Sequence, residues 1–155
     1  MQPPLSNRPF VATLSGLAVF GALSALLGAV LAIAANGGGV PVDYLAHGPF
    51  TSFRVPGLIL GFVVGGTQLA AAVALLAKRR GALVLSAIAG FGMLIWVFAE
   101  LAIIRQYSWL QTAYFTHGAL EVILVLALLG IAPAVVRPLD ALRARSAEPG
   151  AAGSS

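Results

Sequence analysis

Residues 49–66 read PFTSFRVPGLILGFVVGG, and the fold depends on this stretch because a polar, aromatic segment runs there into a continuous apolar one. Pro56 stands at the boundary, and Gly57, Gly61 and Gly65 follow it at a spacing of four residues. Glycines spaced in this way line one face of a helix and let a second helix approach closely. The stretch therefore predicts a helix that packs tightly, either against other segments of the chain or against a second copy in a homodimer.

The composition is that of a membrane protein rather than a soluble globule. Hydrophobic residues make up 59% of the chain and charged residues only 9%, whereas a typical soluble domain carries about 25% charged residues. Four apolar runs exceed about 18 residues, the length that indicates a membrane-spanning helix. Spanning strands would be about 10 residues long and would alternate polar with apolar positions. The predicted fold class is all-α: a polytopic membrane protein with an antiparallel four-helix transmembrane bundle.

The length of 155 residues predicts a single domain, residues 1–155. Its four spans are expected at about residues 10–35, 57–77, 82–104 and 113–136. Tyr107 and Trp109, in the short loop before the last span, are expected to anchor the chain at the membrane surface. Residues 137–155 are rich in charged and small residues, so we expect a cytoplasmic, partly disordered tail there.

The positive charges predict the orientation, because cytoplasmic loops carry an excess of lysine and arginine. With the N-terminus inside, the cytoplasmic side holds Arg8, Lys78, Arg79, Arg80, Arg137, Arg143 and Arg145. The other side holds only Arg54 and Arg105. We therefore expect both termini in the cytoplasm and the loops at 36–56 and 105–112 outside. The net charge of +4 then reflects topology and contact with membrane lipid, and no nucleic-acid partner is predicted.

Several short motifs resemble those of a group of small four-span bacterial membrane proteins. They are Pro49-Phe50, Val55-Pro56-Gly57-Leu58-Ile59-Leu60, Trp96 and QYSWLQ at residues 106–111. The similarity covers about residues 45–130. The layout is also similar to that of DoxX-like proteins, although no DoxX motif matches residue by residue. The resemblance implies a bacterial plasma membrane protein and carries no activity that could be transferred.

Ionisable residues within membrane spans are candidates for function, because burying them is costly. Glu100, His117 and Glu121 are three such residues, and Gln68 is the main neutral polar one. At 1.5 Å per residue, Glu100 and His117 are expected about 6 Å, and Glu121 about 12 Å, from the outer ends of their spans. These residues are therefore expected in the outer half of the membrane, with Gln68 near the depth of Glu121.

His117 and Glu121 are four residues apart and share one helix face, which Tyr114 joins. We expect one inward-facing cluster, which either binds a ligand or forms a structural hydrogen-bonded network. Its candidate residues are Gln68, Glu100, Tyr114, His117 and Glu121, with Arg54 and Arg105 above them as counter-charges. Glu121 is expected to be paired or protonated, because its short side chain cannot reach the membrane surface from that depth.

Other classes of site have less support. His117, Glu121 and Glu100 could together bind a divalent ion, but a His-x-x-x-Glu pair is a weak signal and no metal is predicted. The chain has no cysteine and no nucleotide-binding motif, and no nucleophile with an adjacent base is recognisable. No cofactor is therefore predicted.

Three functions are consistent with this pattern. The first, which we favour from the sequence, is a structural or accessory protein that acts through contacts with lipid, a second copy or another membrane protein. The second is a small carrier or ligand-binding protein that uses the Glu/His/Gln cluster in the outer half of the membrane. The third is an intramembrane enzyme directed at a lipid or a quinone, for which no reactive group can be named.

Overall fold

The computed structural model describes residues 8–46 and 48–130, and this part of the chain contains helices but no strand. Four helices are long and apolar enough to cross a membrane: α1 (Arg8–Ala34), α2 (Arg54–Leu76), α3 (Ala82–Ile104) and α4 (Trp109–Leu128). The prediction of an all-α four-helix bundle is confirmed. The expected tail at 137–155 and the expected end of the fourth span at 131–136 lie outside the described residues.

The long connection between α1 and α2 lies at one end of the bundle together with residues 105–108, and we call this end the loop end. Asn36 and the three glycines that follow it all have positive φ angles, which glycine adopts without steric cost. The backbone N–H of Phe53 donates to Oδ1 of Asn36 at 3.0 Å, so the two ends of the connection are tied together. A short 3₁₀ helix, Val42–Leu45, lies between them.

The glycine row of α2 brings this helix close to α1. A β-carbon added at Gly57 would lie 2.6 Å from Cβ of Ala32. One added at Gly61 would lie 2.9 Å from Cβ of Ala29, and Gly65 faces α1 in the same way. Helices can approach this closely only where one of them lacks side chains. The row therefore packs against a helix of the same chain, the first of the two alternatives considered above.

Helix α2 changes its form twice along its length. It is α-helical over Arg54–Ile59, π-helical over Leu60–Gly65 and α-helical again over Gly66–Leu76. The hydroxyl of Thr67 donates to the carbonyl oxygen of Val63 at 2.7 Å, at the end of the π segment. Short π segments occur frequently at functional sites, and this one ends three residues before Gln68.

Helix α4 begins at Trp109, four residues before the expected start of the fourth span. The hydroxyl of Ser108 accepts a hydrogen bond from the N–H of Leu110 at 3.3 Å, and the side chain of Gln111 accepts one from the N–H of Ser108. This reciprocal capping box satisfies backbone donors that a first helical turn leaves unpaired. The loop expected over 105–112 is therefore limited to residues 105–108.

The half of the bundle away from the loop end is filled by an apolar core. Its buried residues are Leu14, Ala18, Ala71, Ala72, Ala74, Leu75, Ala82, Ala89 and Val125. Helices α3 and α4 cross closely next to this core, where a β-carbon at Gly118 would lie 3.0 Å from the carbonyl oxygen of Gly90. A smaller buried cluster lies nearer the loop end, and polar side chains occupy the level between the two.

Candidate functional site

The middle of the bundle contains a buried hydrogen bond between α2 and α4. Nε2 of Gln68 donates to Oε2 of Glu121 at 2.8 Å. The two residues are 0% and 1% exposed, respectively. Burying polar side chains this completely is costly unless they are paired. The hydrogen bond pairs two of the four polar atoms that these two side chains bring into the core.

His117 completes a cluster that we call the central triad (Gln68, His117 and Glu121). Nε2 of His117 lies 3.5 Å from Oε1 of Glu121, one helical turn along α4, and the imidazole is almost fully buried. The ring of Phe20 on α1 covers the imidazole at a centroid distance of 5.7 Å. The sequence prediction that these three polar residues face one another inside the bundle agrees with this geometry.

Two glycines provide the space that the triad fills. A β-carbon at Gly21 of α1 would lie 2.8 Å from Oε1 of Gln68 and 3.0 Å from Nε2 of His117. A β-carbon at Gly90 of α3 would lie 3.1 Å from Cβ of Glu121. Helices α2 and α4 therefore supply the polar groups, whereas α1 and α3 supply the room for them.

Each member of the triad has one buried polar atom without a hydrogen-bond partner among the described residues. These atoms are Oε1 of Gln68, Nε2 of His117 and Oε1 of Glu121. Most buried polar atoms in native proteins are paired, and one left unpaired costs about 1–3 kcal/mol. These three atoms are therefore the positions of the triad at which a further hydrogen bond or a proton can be accommodated.

The triad lies deeper than the sequence predicted. Glu121 is twelve residues beyond Trp109, the first residue of α4, which places it about 18 Å along the helix at 1.5 Å per residue. The expected distance of about 12 Å was counted from residue 113, and the earlier start of α4 adds about 6 Å of helix between Glu121 and the loop end.

Glu100 does not belong to the triad. Gly90 packs against Glu121, and Glu100 is ten residues further along the same helix, which corresponds to about 15 Å towards the loop end. The single cluster expected from the sequence is therefore two sites at different levels of the bundle. The late start of α4 and the length of α3 produce this separation.

Arg54 and Arg105 do not act as counter-charges in this structure. Both side chains are exposed at the loop end, and neither forms an ion pair with Glu100 or Glu121. Arg105 instead ends α3, where it adopts a left-handed conformation with φ of 52°. The expectation that the two arginines cap the carboxylates is therefore wrong for the described residues.

Glu100 lines two adjoining cavities at the loop end. The larger one, which we call the loop-end cavity, has a volume of about 650 Å³ and lies between α1, α3 and α4. The smaller one has a volume of about 200 Å³ and lies between α1, α2 and α3. Trp96 and Glu100 line both cavities, so these two side chains stand where the cavities meet.

The loop-end cavity is apolar and aromatic around Glu100. Its aromatic lining residues are Tyr44, Trp96, Tyr107 and Tyr114, and the described lining contains no lysine or arginine. Neither Glu100 nor Tyr114 uses its side chain in a hydrogen bond or ion pair with another described residue. Gln111, by contrast, is engaged in capping α4. The cavity thus presents a free acidic group beside aromatic rings.

One turn of each helix separates this cavity from the triad. We call this level the apolar layer; it consists of the buried residues Ala25, Val64 and Met93 and of Tyr114, which is partly buried and packs against them. In each helix, the layer residue is three or four residues nearer the loop end than the residue at the level of the triad. The residues at the level of the triad, in the same order of helices, are Gly21, Gln68, Gly90 and His117. Three of the four layer residues also line the loop-end cavity. The triad therefore lies beneath the cavity floor, behind about 5 Å of apolar side chains.

Trp96 and Gly21 were not among the site residues expected from the sequence. Trp96 is four residues before Glu100 on α3, and this spacing already places the two on one helix face. Gly21 carries no functional group, and its role follows only from the contact with Gln68. No group of three or more histidine, cysteine, aspartate or glutamate side chains able to hold a metal ion occurs within residues 8–46 and 48–130.

Comparison with known proteins finds no matching family model, no matching curated protein and no matching solved structure. The resemblance to four-span bacterial membrane proteins therefore stays a prediction. The function has to be argued from the two sites themselves.

Proposed function

We propose that the protein is a membrane protein that binds a hydrophobic organic cation in the loop-end cavity. The observation that carries this proposal is the position of Glu100, which lines an aromatic cavity without a partner among the described residues. A carboxylate out of water is stabilised by an opposite charge. Aromatic rings add to the attraction, because a cation binds over their faces. Both kinds of group meet at Trp96 and Glu100.

The size of the cavity supports a small ligand. Pockets for small molecules measure about 300–1,000 Å³ and are lined mainly by apolar and aromatic side chains with few polar groups. The loop-end cavity, at about 650 Å³, has this size and this lining. An anionic ligand would be repelled by Glu100 and would find no lysine or arginine in the described lining.

An accessory role has less support than it had from the sequence. The small-residue helix faces suggested contacts with another protein or a second copy. The glycines at residues 57, 61, 65, 90 and 118 instead lie against helices of the same chain. An intramembrane enzyme is also less well supported, because the cavity lining offers a single carboxyl group and no partner for it.

The proposed location is the plasma membrane of a bacterium, with the loop end outside and both termini in the cytoplasm. Support for this orientation comes from the charges, since seven of the nine lysine and arginine residues belong to the opposite side. The ligand would then enter from the outer face or from the outer leaflet of the membrane.

The proposal is tested by measuring the binding of tetraphenylphosphonium to the full chain in lipid nanodiscs, with empty nanodiscs subtracted. Replacing Glu100 by glutamine should weaken binding about tenfold or more, because a contact with a charged group contributes about 1.5–3 kcal/mol. Tetraphenylborate has the same shape and the opposite charge, and it should bind far more weakly than the phosphonium.

The matched control is Asp43→Asn. It removes one carboxylate from the same end of the bundle, but Asp43 is exposed and does not line either cavity. This variant should bind tetraphenylphosphonium like the wild type. If Glu100→Gln also binds like the wild type, or if the borate binds as tightly as the phosphonium, the proposed function is wrong.

A further inference from the structure

The cation site leaves the central triad unused, and the geometry of the triad points to a proton-binding site shared by His117 and Glu121 that exchanges protons with the loop-end cavity. This inference is independent of cation binding, because it rests on other residues at another level of the bundle. It concerns Nε2 of His117 and Oε1 of Glu121, with Gln68 as a positioning residue.

Nε2 of His117 and Oε1 of Glu121 face each other at 3.5 Å and have no other partner among the described residues. Without a proton between them, two lone pairs would face each other away from water, which is unfavourable. One proton satisfies both atoms. It lies on Nε2 of the imidazole, in the neutral or the doubly protonated ring, or on the carboxyl group, which then donates to the neutral imidazole.

Gln68 leaves the shared position free. Its Nε2 donates to Oε2 of Glu121 at 2.8 Å, so the amide occupies one carboxyl oxygen and the imidazole faces the other. Gly21 allows the amide and the imidazole to lie side by side, since a β-carbon there would meet both. The amide thus fixes the rotation of the carboxyl group and directs Oε1 towards His117.

Within the described helices, no other titratable side chain lies at the level of the triad to compete for the proton. Helix α1 contributes no titratable residue besides Arg8 at its far end, and α2 contributes none between Arg54 and its last residue. On α3 the only titratable residue is Glu100, about 15 Å along the helix. On α4 it is Tyr114, one turn away in the apolar layer. The proton balance of the site is therefore set by His117 and Glu121 alone.

The two sides of the triad differ in how easily a proton can reach it. On the side towards the loop end, only the apolar layer stands between the triad and a large cavity. On the other side lie the nine buried apolar residues of the core and the buried Ser86, whose hydroxyl donates to the carbonyl oxygen of Ala82. A proton therefore has a much shorter dry path to the loop-end cavity than to the opposite end. Loss of one proton from the imidazolium–carboxylate state leaves a neutral imidazole beside a carboxylate, with one negative charge on the pair, and uptake of a proton from the cavity restores neutrality.

The sharing of the proton is tested by infrared difference spectroscopy of the full chain in nanodiscs across a pH series. Isotope-labelled histidine identifies the imidazole bands, and a His47→Gln background removes the second histidine. Because one proton serves both groups, the carboxyl and imidazole bands should change together across the series. A carboxyl band that changes without the imidazole bands would overturn the proposal. The chain has five aspartate and glutamate side chains, so the band of Glu121 is identified as the one that is lost in Glu121→Gln.

Variants add a second readout. Glu121→Gln should remove the carboxyl band that changes together with the imidazole bands, and it should alter the response of the imidazole bands to pH, whereas Asp43→Asn should change neither. An imidazole response that is the same in Glu121→Gln and in the wild type would contradict a shared proton.

Access is tested by the same substitution on either side of the triad. Val64, 1% exposed, belongs to the apolar layer, and Val125, 2% exposed, belongs to the core beyond Glu121. After a pH jump from a caged proton, the carboxyl band should respond several-fold faster in Val64→Ala than in the wild type. Val125→Ala should respond like the wild type. Equal acceleration in both variants, or acceleration in Val125→Ala alone, would show that exchange does not pass through the apolar layer.

Discussion

Replacing Gly57 by alanine should force α1 and α2 apart. The added methyl carbon would lie 2.6 Å from Cβ of Ala32 and 3.3 Å from the carbonyl oxygen of Ala29. Unstrained carbon atoms stay about 3.5–4.0 Å apart, so the helices have to separate by about 1 Å at this crossing. Neither neighbour can turn aside, because a β-carbon and a carbonyl oxygen move only with the backbone.

The magnitude follows from two opposing effects. Overpacking of this kind costs about 1–3 kcal/mol, and alanine returns up to about 1 kcal/mol because it loses less backbone entropy than glycine in a helix. Gly66→Ala is the matched control in the same helix, since nothing lies within 4 Å of its added methyl group. The free energy of unfolding should therefore be lower for Gly57→Ala than for Gly66→Ala by about 1–3 kcal/mol.

The assay is reversible unfolding in mixed micelles of increasing dodecyl sulfate content, followed by helical circular dichroism. Gly61→Ala should fall between the other two variants, because its added carbon would lie 2.9 Å from Cβ of Ala29. Equal stability of Gly57→Ala and Gly66→Ala would refute the close contact of α1 with α2. A larger loss for Gly61→Ala than for Gly57→Ala would show that these distances do not control the packing.

Two further predictions concern the triad and the start of α4. Gly21→Ala should lower the free energy of unfolding by about 1–3 kcal/mol, because the amide of Gln68 has to move from its hydrogen bond with Glu121; Gly16→Ala, with nothing within 4 Å of its added methyl group, serves as the control. The loss should shrink in a Gln68→Ala background, and an unchanged loss there would contradict the mechanism. Ser108→Ala should cost about 1 kcal/mol through loss of the N-cap, and amide hydrogen exchange in the first turn of α4 should become faster; unchanged exchange would argue against the cap.

The fold was largely predictable because long apolar runs have few alternatives in a membrane. The bounds of α4 were less predictable, because Trp109, Leu110 and Gln111 were assigned to a loop that anchors the chain at the membrane surface. The capping box at residues 108–111 was present in the sequence as S-x-x-Q. Its omission shortened the helix by four residues and placed Glu121 about 6 Å too near the loop end.

The composition of the candidate site was predictable only in part. Spacing alone places His117 and Glu121 on one face of α4, and equal depth suggested Gln68 as their partner. The separation of Glu100 from this group was not predicted, because depth along one helix does not tell which level of a neighbour it faces. That level depends on the close crossing of Gly90 and Gly118, where the backbones of α3 and α4 meet.

Helix α1 contributes no donor or acceptor to the central triad, yet its buried face at Gly21, Ala25 and Ala29 closes one side of the bundle. What this face requires is small volume rather than a particular chemistry. Serine is close to alanine in size, whereas leucine is not. Tolerance to substitution along this face of α1 should therefore follow side-chain volume, and large apolar replacements will be among the least acceptable on a helix that is otherwise mostly apolar.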